Sequence, residues 1–297
     1  MKALPPVFLA TFLTASGFAI AADNTVILQQ NGTANVATAN QDDPAAIGNL
    51  IHQQQSGKFN NAESTQRHQV DSTIYQVQDG TLNRAYSLQL DGSENHSNIY
   101  QSGIYQQAST LQIASDGSSA TIRQQGSHND AEIYQYLGRD NVAVIEQVGS
   151  LHGASIGQYA SYHSEAYIYQ QGSGQRAEIA QDGADHYARI AQQGIDNRAE
   201  VTQQAMNNSV DIMQSGYGND ANVLQTSWYN SAIVNQDGQF NSADIIQSAG
   251  FGPAGGNQAM ISQSGALNQA LIIQSGYSGS ASVSQVGSAN TATVIQH

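Results

Sequence analysis

Gln192-Gln-Gly-Ile-Asp-Asn-Arg-Ala-Glu-Val-Thr-Gln203 decides the fold, because much of the chain is that segment written again. Its skeleton is Q-x-G-x-x-N-x-A-x-(I/V)-x-Q, and the closing Gln of one copy opens the next, a period of eleven residues. Further copies run from Gln124 to Gln135, Gln214 to Gln225, Gln236 to Gln247 and Gln263 to Gln274. Such a period outranks other signals, since a short repeat buries its apolar face only against its neighbours.

An eleven-residue period also suits a right-handed coiled coil. Against a helix stands the recurrent Gly, which would cost about 1 kcal/mol in every copy. Within a copy the pattern has period two: Asn219, Ala221, Val223 and Gln225 alternate with variable polar residues. Alternation of that kind marks a strand with one buried face. The expected fold is all-β, a β-solenoid of stacked two-strand arches. Each arm is one strand from about the Asn to the Gln, followed by a turn at Gly-x-x. Two arms make a rung of about 22 residues, with about 12 rungs between Gln30 and Gln296 in a rod roughly 55–60 Å long.

The candidate core residues are Ala131, Ile133, Ala199, Val201, Ala221, Val223, Ala243 and Ile245. Reversal of the chain sets the Ala of one strand against the Ile or Val of the other, so large meets small and the sheets interdigitate. Each buried Ile or Val contributes roughly 1.5–3 kcal/mol.

The candidate functional residues are the inward amides that flank the turns. They are Gln124, Asn129, Gln135, Asn141 and Gln147, then Gln192, Asn197, Gln203, Asn208, Gln214, Asn219, Gln225, Asn230, Gln236, Asn241 and Gln247. An inward amide without a partner costs roughly 1–3 kcal/mol. Stacking answers this, because like amides about 4.8 Å apart hydrogen-bond along a ladder. Where Asn is replaced, at Gln106, Ser118, His152, Ser164, Gln175 and His186, the slot stays polar.

Residues 1–21 read as a secretory leader: Lys2, an apolar run from Val7 to Phe18, and the small-x-small signal Ala19-Ile20-Ala21. The rest, 22–297, is expected to be a single solenoid, with a Gly- and Pro-rich surface insertion near 248–256. Asp42-Asp43-Pro44 falls where a turn glycine belongs and is placed in a loop, since Pro44 cannot donate to a sheet.

Charged residues make up 11% of the chain and the net charge is −14, which argues against a nucleic-acid partner. The absence of cysteine excludes disulfides and thiolate chemistry, so stability rests on packing and backbone pairing. The eight histidines form no H-x-H or H-x-x-x-H pair for a metal. No nucleophile elbow, phosphate loop or paired-carboxylate constellation stands out, so no enzyme, cofactor or metal is expected. Glu132, Glu178, Glu200, Asp211 and Asp244 alternate outward and read first as a solvated face, with a gatekeeper role against misassembly as the second reading.

The recurring A-x-(I/V)-x-Q-x-G-x-x-N-x-A resembles the curlin repeat of bacterial curli, the extracellular functional amyloid fibres of biofilms. The resemblance covers nearly everything after the leader. It implies a structural fibre subunit that polymerises with itself and with other curlin subunits. It also implies passage through the outer-membrane curli export pore, and an extracellular fibre at the bacterial cell surface that adheres to host or matrix surfaces. Major and nucleating subunit types both remain open. The alternative is a monomeric solenoid that binds glycan or ice, which needs a uniform outward row. Glu132, Val144, Ser155, Tyr167, Glu178 and Arg189 are mixed instead.

Overall fold

The computed structural model describes residues 23–41, 43–44, 46–248 and 255–297. The leader expected at 1–21 and most of the insertion near 248–256 lie outside these residues. Strands are numbered in chain order from β1 (Thr25–Thr33) to β24 (Thr291–Gln296). All odd strands form one 12-stranded sheet and all even strands a second, each in strict sequence order. Consecutive strands therefore never pair. They lie on opposite sides of the core, and every ladder is parallel. The fold is an all-β solenoid.

Register is in phase along the rod. β10 (Asp130–Tyr136) sets Ala131 against Ala154, Ile133 against Ile156 and Gln135 against Gln158 of β12 (Gly153–Tyr162). Each core position thus stacks on its own equivalent, so one buried face runs unbroken through the rungs. The step is 23 residues from Thr73 to His96 and from Val142 to Glu165. It falls to 22 from Glu165 to Tyr187 and from Tyr187 to Ser209, and lengthens to 27 from Ser231 to Gln258 and from Ser242 to Gln269. The residue that separates 23 from 22 sits in the turn from even to odd strand. Gln135 and Asn141 are six apart, with Leu137 (φ 52°) and Asp140 (φ 54°) both left-handed, whereas Gln203 and Asn208 are five apart.

The repeat glycine is not in the turn, contrary to the expectation of a turn at Gly-x-x. Odd strands run through it: Gly126 lies inside β9 (Ser119–Ser127) with φ 122°. The reason is close stacking. A Cβ on Gly126 would lie 2.0 Å from the carbonyl oxygen of Gly149 in the next rung. The chain turns instead at the residue before the Asn slot, where His128, Leu151 (before His152) and Phe240 hold φ of 55°, 60° and 53°.

Ala131, Ile133, Ala199, Val201, Ala221, Val223, Ala243 and Ile245 are all buried in one apolar cluster that runs from Ala85 and Ile99 to Val283. The first rungs depart from this pattern. There the same inward slots carry Gln53, Ser64, Gln76, Ser87, Ser97 and Thr110, all fully buried. They bond to one another: Gln53 Nε2 donates to Ser64 Oγ at 2.8 Å, and Gln76 Nε2 to Ser87 Oγ at 2.8 Å.

Candidate functional site

Two uninterrupted files of glutamine run the length of the rod. In the odd sheet, Gln124 Nε2 donates to Gln147 Oε1 and Gln147 to Gln170, each at 2.9 Å. Gln192 donates to Gln214 and Gln214 to Gln236, each at 2.8 Å. In the even sheet, Gln135 donates to Gln158 at 2.8 Å, Gln203 to Gln225 at 3.0 Å and Gln225 to Gln247 at 2.8 Å. Side chains at a strand's inward positions recur at the rung spacing, which is why like amides meet.

The second hydrogen of each amide crosses the core. Gln124 Nε2 reaches the carbonyl of Gln107 at 2.7 Å, Gln147 that of Asp130 at 3.0 Å, and Gln236 that of Asp220 at 2.8 Å. Each Gln therefore bridges rungs along the axis and joins the two sheets at their margin. In Gln124, Gln147 and Gln236 both amide hydrogens are thereby bonded.

Asparagine behaves differently, being one methylene shorter. Its amide stays against the turn backbone. Asn197 Oδ1 accepts the backbone N–H of Asn219 at 3.0 Å, Asn129 Oδ1 that of His152 at 3.2 Å, and Asn208 Oδ1 that of Asn230 at 2.9 Å. Asn141 Oδ1 accepts from Ser164 N at 3.0 Å, and Asn230 Oδ1 from Asn257 N at 3.2 Å. The Nδ2 group of Asn197 donates to the carbonyls of Gln193 at 3.0 Å and Gly216 at 3.3 Å. Side chain to side chain contacts between asparagines occur toward the C-terminal rungs, as from Asn219 to Asn197 at 3.2 Å and from Asn241 to Asn219 at 3.1 Å.

Histidine takes over the same bonds. His152 Nδ1 accepts from Gln175 N at 3.4 Å while Nε2 lies 3.2 Å from the Val148 carbonyl. His186 does the same with Asn208 N and the Asp182 carbonyl. An accepting Nδ1 requires neutral imidazole with the proton on Nε2. Burial pushes both pKa values down from the ordinary 6.5, offset in part by the carbonyl acceptors.

On one lateral edge, exposed His68 stands between Asp43 at 3.1 Å and Asp91 at 2.7 Å. Among the described residues, no group of His, Asp and Glu is placed to hold a metal ion. No described helix is long and apolar enough to cross a membrane.

Sequence reasoning missed the polar rungs around Gln53 and Gln76. Their signal was present as Gln in the slot for Ile two positions before the repeat Gln. The exposed large residues at left-handed turn positions were missed as well, because no turn-residue rule favours Leu or Phe there.

The curlin associated repeat matches residues 116–149, 176–204 and 256–287. Comparison with curated proteins found no significant match. The matched spans fall on rungs whose Gln, Asn, Gly and Ile slots have just been described, and over them the chain is similar to the curlin associated repeat.

Proposed function

We propose that the protein is a structural subunit of extracellular curli-type amyloid fibres, and that it grows by stacking the terminal rungs of successive copies. The curlin-repeat family is structural and non-enzymatic, which supports the first part. The observation that carries the second is the polarity of the glutamine files between two open sheet edges.

Among the described residues, β1, β2 (Val36–Asn40), β23 (Ser280–Ser288) and β24 end their sheets, each pairing on one side only. An unpaired strand edge is a template for another chain. Each Gln file points one way: Gln30 Nε2 donates to Gln55 Oε1 at 2.7 Å, and Gln274 Nε2 to Gln296 Oε1 at 2.8 Å. The first rung therefore ends on carbonyl oxygens and the last on amide N–H groups. A second copy in phase puts Gln285 against Gln30 and Gln296 against Gln41, donor to acceptor.

The first rung suits such a partner better than its own neighbour. Leu28 occupies the inward slot that holds Gln53 in the next rung, and Gln53 Oε1 has no hydrogen-bond partner. In phase with a second copy, Leu28 meets Val283, and Gly32 meets Gly287. A head-to-tail contact that does not close on itself gives a filament.

In this reading the ladder residues from Gln124 to Gln247 hold the rungs of one copy in phase, and Gln30, Gln41, Gln285 and Gln296 form the junction between copies. The partners are further copies and other curlin subunits, an outer-membrane export pore, and matrix surfaces at the cell exterior. Dye-binding fibres in micrographs are the expected outcome for the purified chain. Persistence as a monomer for days at high concentration would overturn the proposal.

A further inference from the structure

The even sheet changes character toward its last strands. One outward row reads Gly157, Ala180, Thr202 and then Leu224, all in register. From Leu224 in β18 (Asp220–Gln225) it continues as Ile246 in β20 (Ser242–Gln247), Ile273 in β22 (Gln269–Gln274) and Ile295 in β24. The row carries Leu88, Leu111 and Tyr134 in earlier rungs, narrows to Gly157, Ala180 and Thr202, and ends as an aliphatic ridge four rungs long. Leu224 is 37% and Ile295 55% exposed, although both belong to a chain with ample buried slots for such residues.

Charge changes at the same place. The neighbouring outward row carries Glu178, Glu200 and Asp244, then Leu271 and Thr293. From 245 to 297 the sequence holds no Asp, Glu, Lys or Arg, in a chain of net charge −14. Two copies repel each other along most of their length, and the last strands, beyond Asp220 and Asp244, are where they approach with least of that cost.

We propose that the ridge Leu224–Ile246–Ile273–Ile295 is a lateral contact between filaments, and that its occupant is the same ridge on a copy in the neighbouring filament. The inference rests on the fibre reading above. Size selects this occupant. Four rungs by two side chains cover roughly 250–300 Å². That is well short of the ~800 Å² per partner typical of a stable pair. Single copies therefore do not dimerise through it. In a filament the ridge recurs once per copy, every ~58 Å for 12 strands per sheet, and many weak contacts act together.

The test compares assembled wild-type protein with Ile246→Thr/Ile273→Thr, a change that keeps β-branched residues on an outward face. A control, Ile233→Thr/Met260→Thr, removes comparable exposed apolar surface from the odd sheet. Fibre growth is followed by dye fluorescence, and lateral association by filament width in micrographs and by sedimentation. The expected result is normal growth in all three, with bundles lost only in the even-sheet variant. Bundles that persist in that variant, or are lost equally in the control, overturn the ridge contact and leave the fibre reading standing. Loss of adhesion to an apolar surface with bundling unchanged assigns the ridge to a non-self partner and also overturns it. Absence of filaments from the wild type overturns both.

Discussion

At the scale of single residues, the repeat is a set of steric and hydrogen-bonding requirements imposed by the rung above. Gly126 has no room for a methyl group, since Gly149 O would stand 2.0 Å from it, and its φ of 122° strains any side chain. Gly126→Ala is expected to destabilise the rod by at least about 2 kcal/mol, measured as a fall in denaturation midpoint. An unchanged midpoint would mean that the stack opens easily at this edge.

His152 and His186 make a pH prediction. Their folded pKa values lie below the ordinary 6.5, so the unfolded chain binds protons that the native state refuses as pH falls past that value. Stability is then fully present above about pH 6.5 and drains below it, because the slope follows the difference in bound protons. The double variant His152→Asn/His186→Asn, which restores the repeat residue, should show a flatter melting profile between pH 7 and 5. Parallel profiles for the two proteins would contradict this.

At the scale of the strand and rung, the Gln files make neighbouring elements interdependent. Gln147→Leu removes the acceptor for Gln124 and the donor to both Gln170 and the Asp130 carbonyl. Leaving such groups buried and unpaired costs about 1–3 kcal/mol each, so the loss should exceed that of one surface bond. Thermal melting of this variant measures it.

The rungs also differ in strength. Those around Gln53, Ser64 and Gln76 replace Ile with hydrogen-bonded polar groups, and Gln53 Oε1 stays unpaired. Amide exchange should accordingly be faster in β3 (Leu50–Lys58) and β5 (Thr73–Thr81) than in β13 (Glu165–Ser173) or β15 (Tyr187–Ile195). Uniform protection from β3 to β15 would show that backbone pairing, rather than core chemistry, sets local stability.

At the scale of the whole molecule, the ends matter more than the middle. Gln285→Glu keeps an oxygen to accept from Gln263, now bonded at 2.8 Å, but has no N–H to offer the Gln30 of an arriving copy. The single molecule should still fold, weakened by the lost bond from Gln285 Nε2 to the Gln269 carbonyl (now 2.9 Å), while elongation slows about tenfold, the effect of roughly 1.4 kcal/mol. Unaltered growth kinetics in a seeded assay would rule out the proposed donor-to-acceptor junction.

Strand identity, the all-β class and the buried row of Ala and Ile were legible in the sequence, because a period of two within a period of eleven has one physical solution. Residue spacing alone determined which side chains share a face. What decided the position of the repeat glycine was contact with the next rung, since Gly126 and Gly149 are 23 residues apart and no local rule brings them together. The partners of the asparagines, the tautomers at His152 and His186, and the gathering of Leu224, Ile246, Ile273 and Ile295 into one ridge were likewise settled by tertiary stacking. Each depends on groups a full turn away along the chain, and distance in sequence carries no record of distance across a rung.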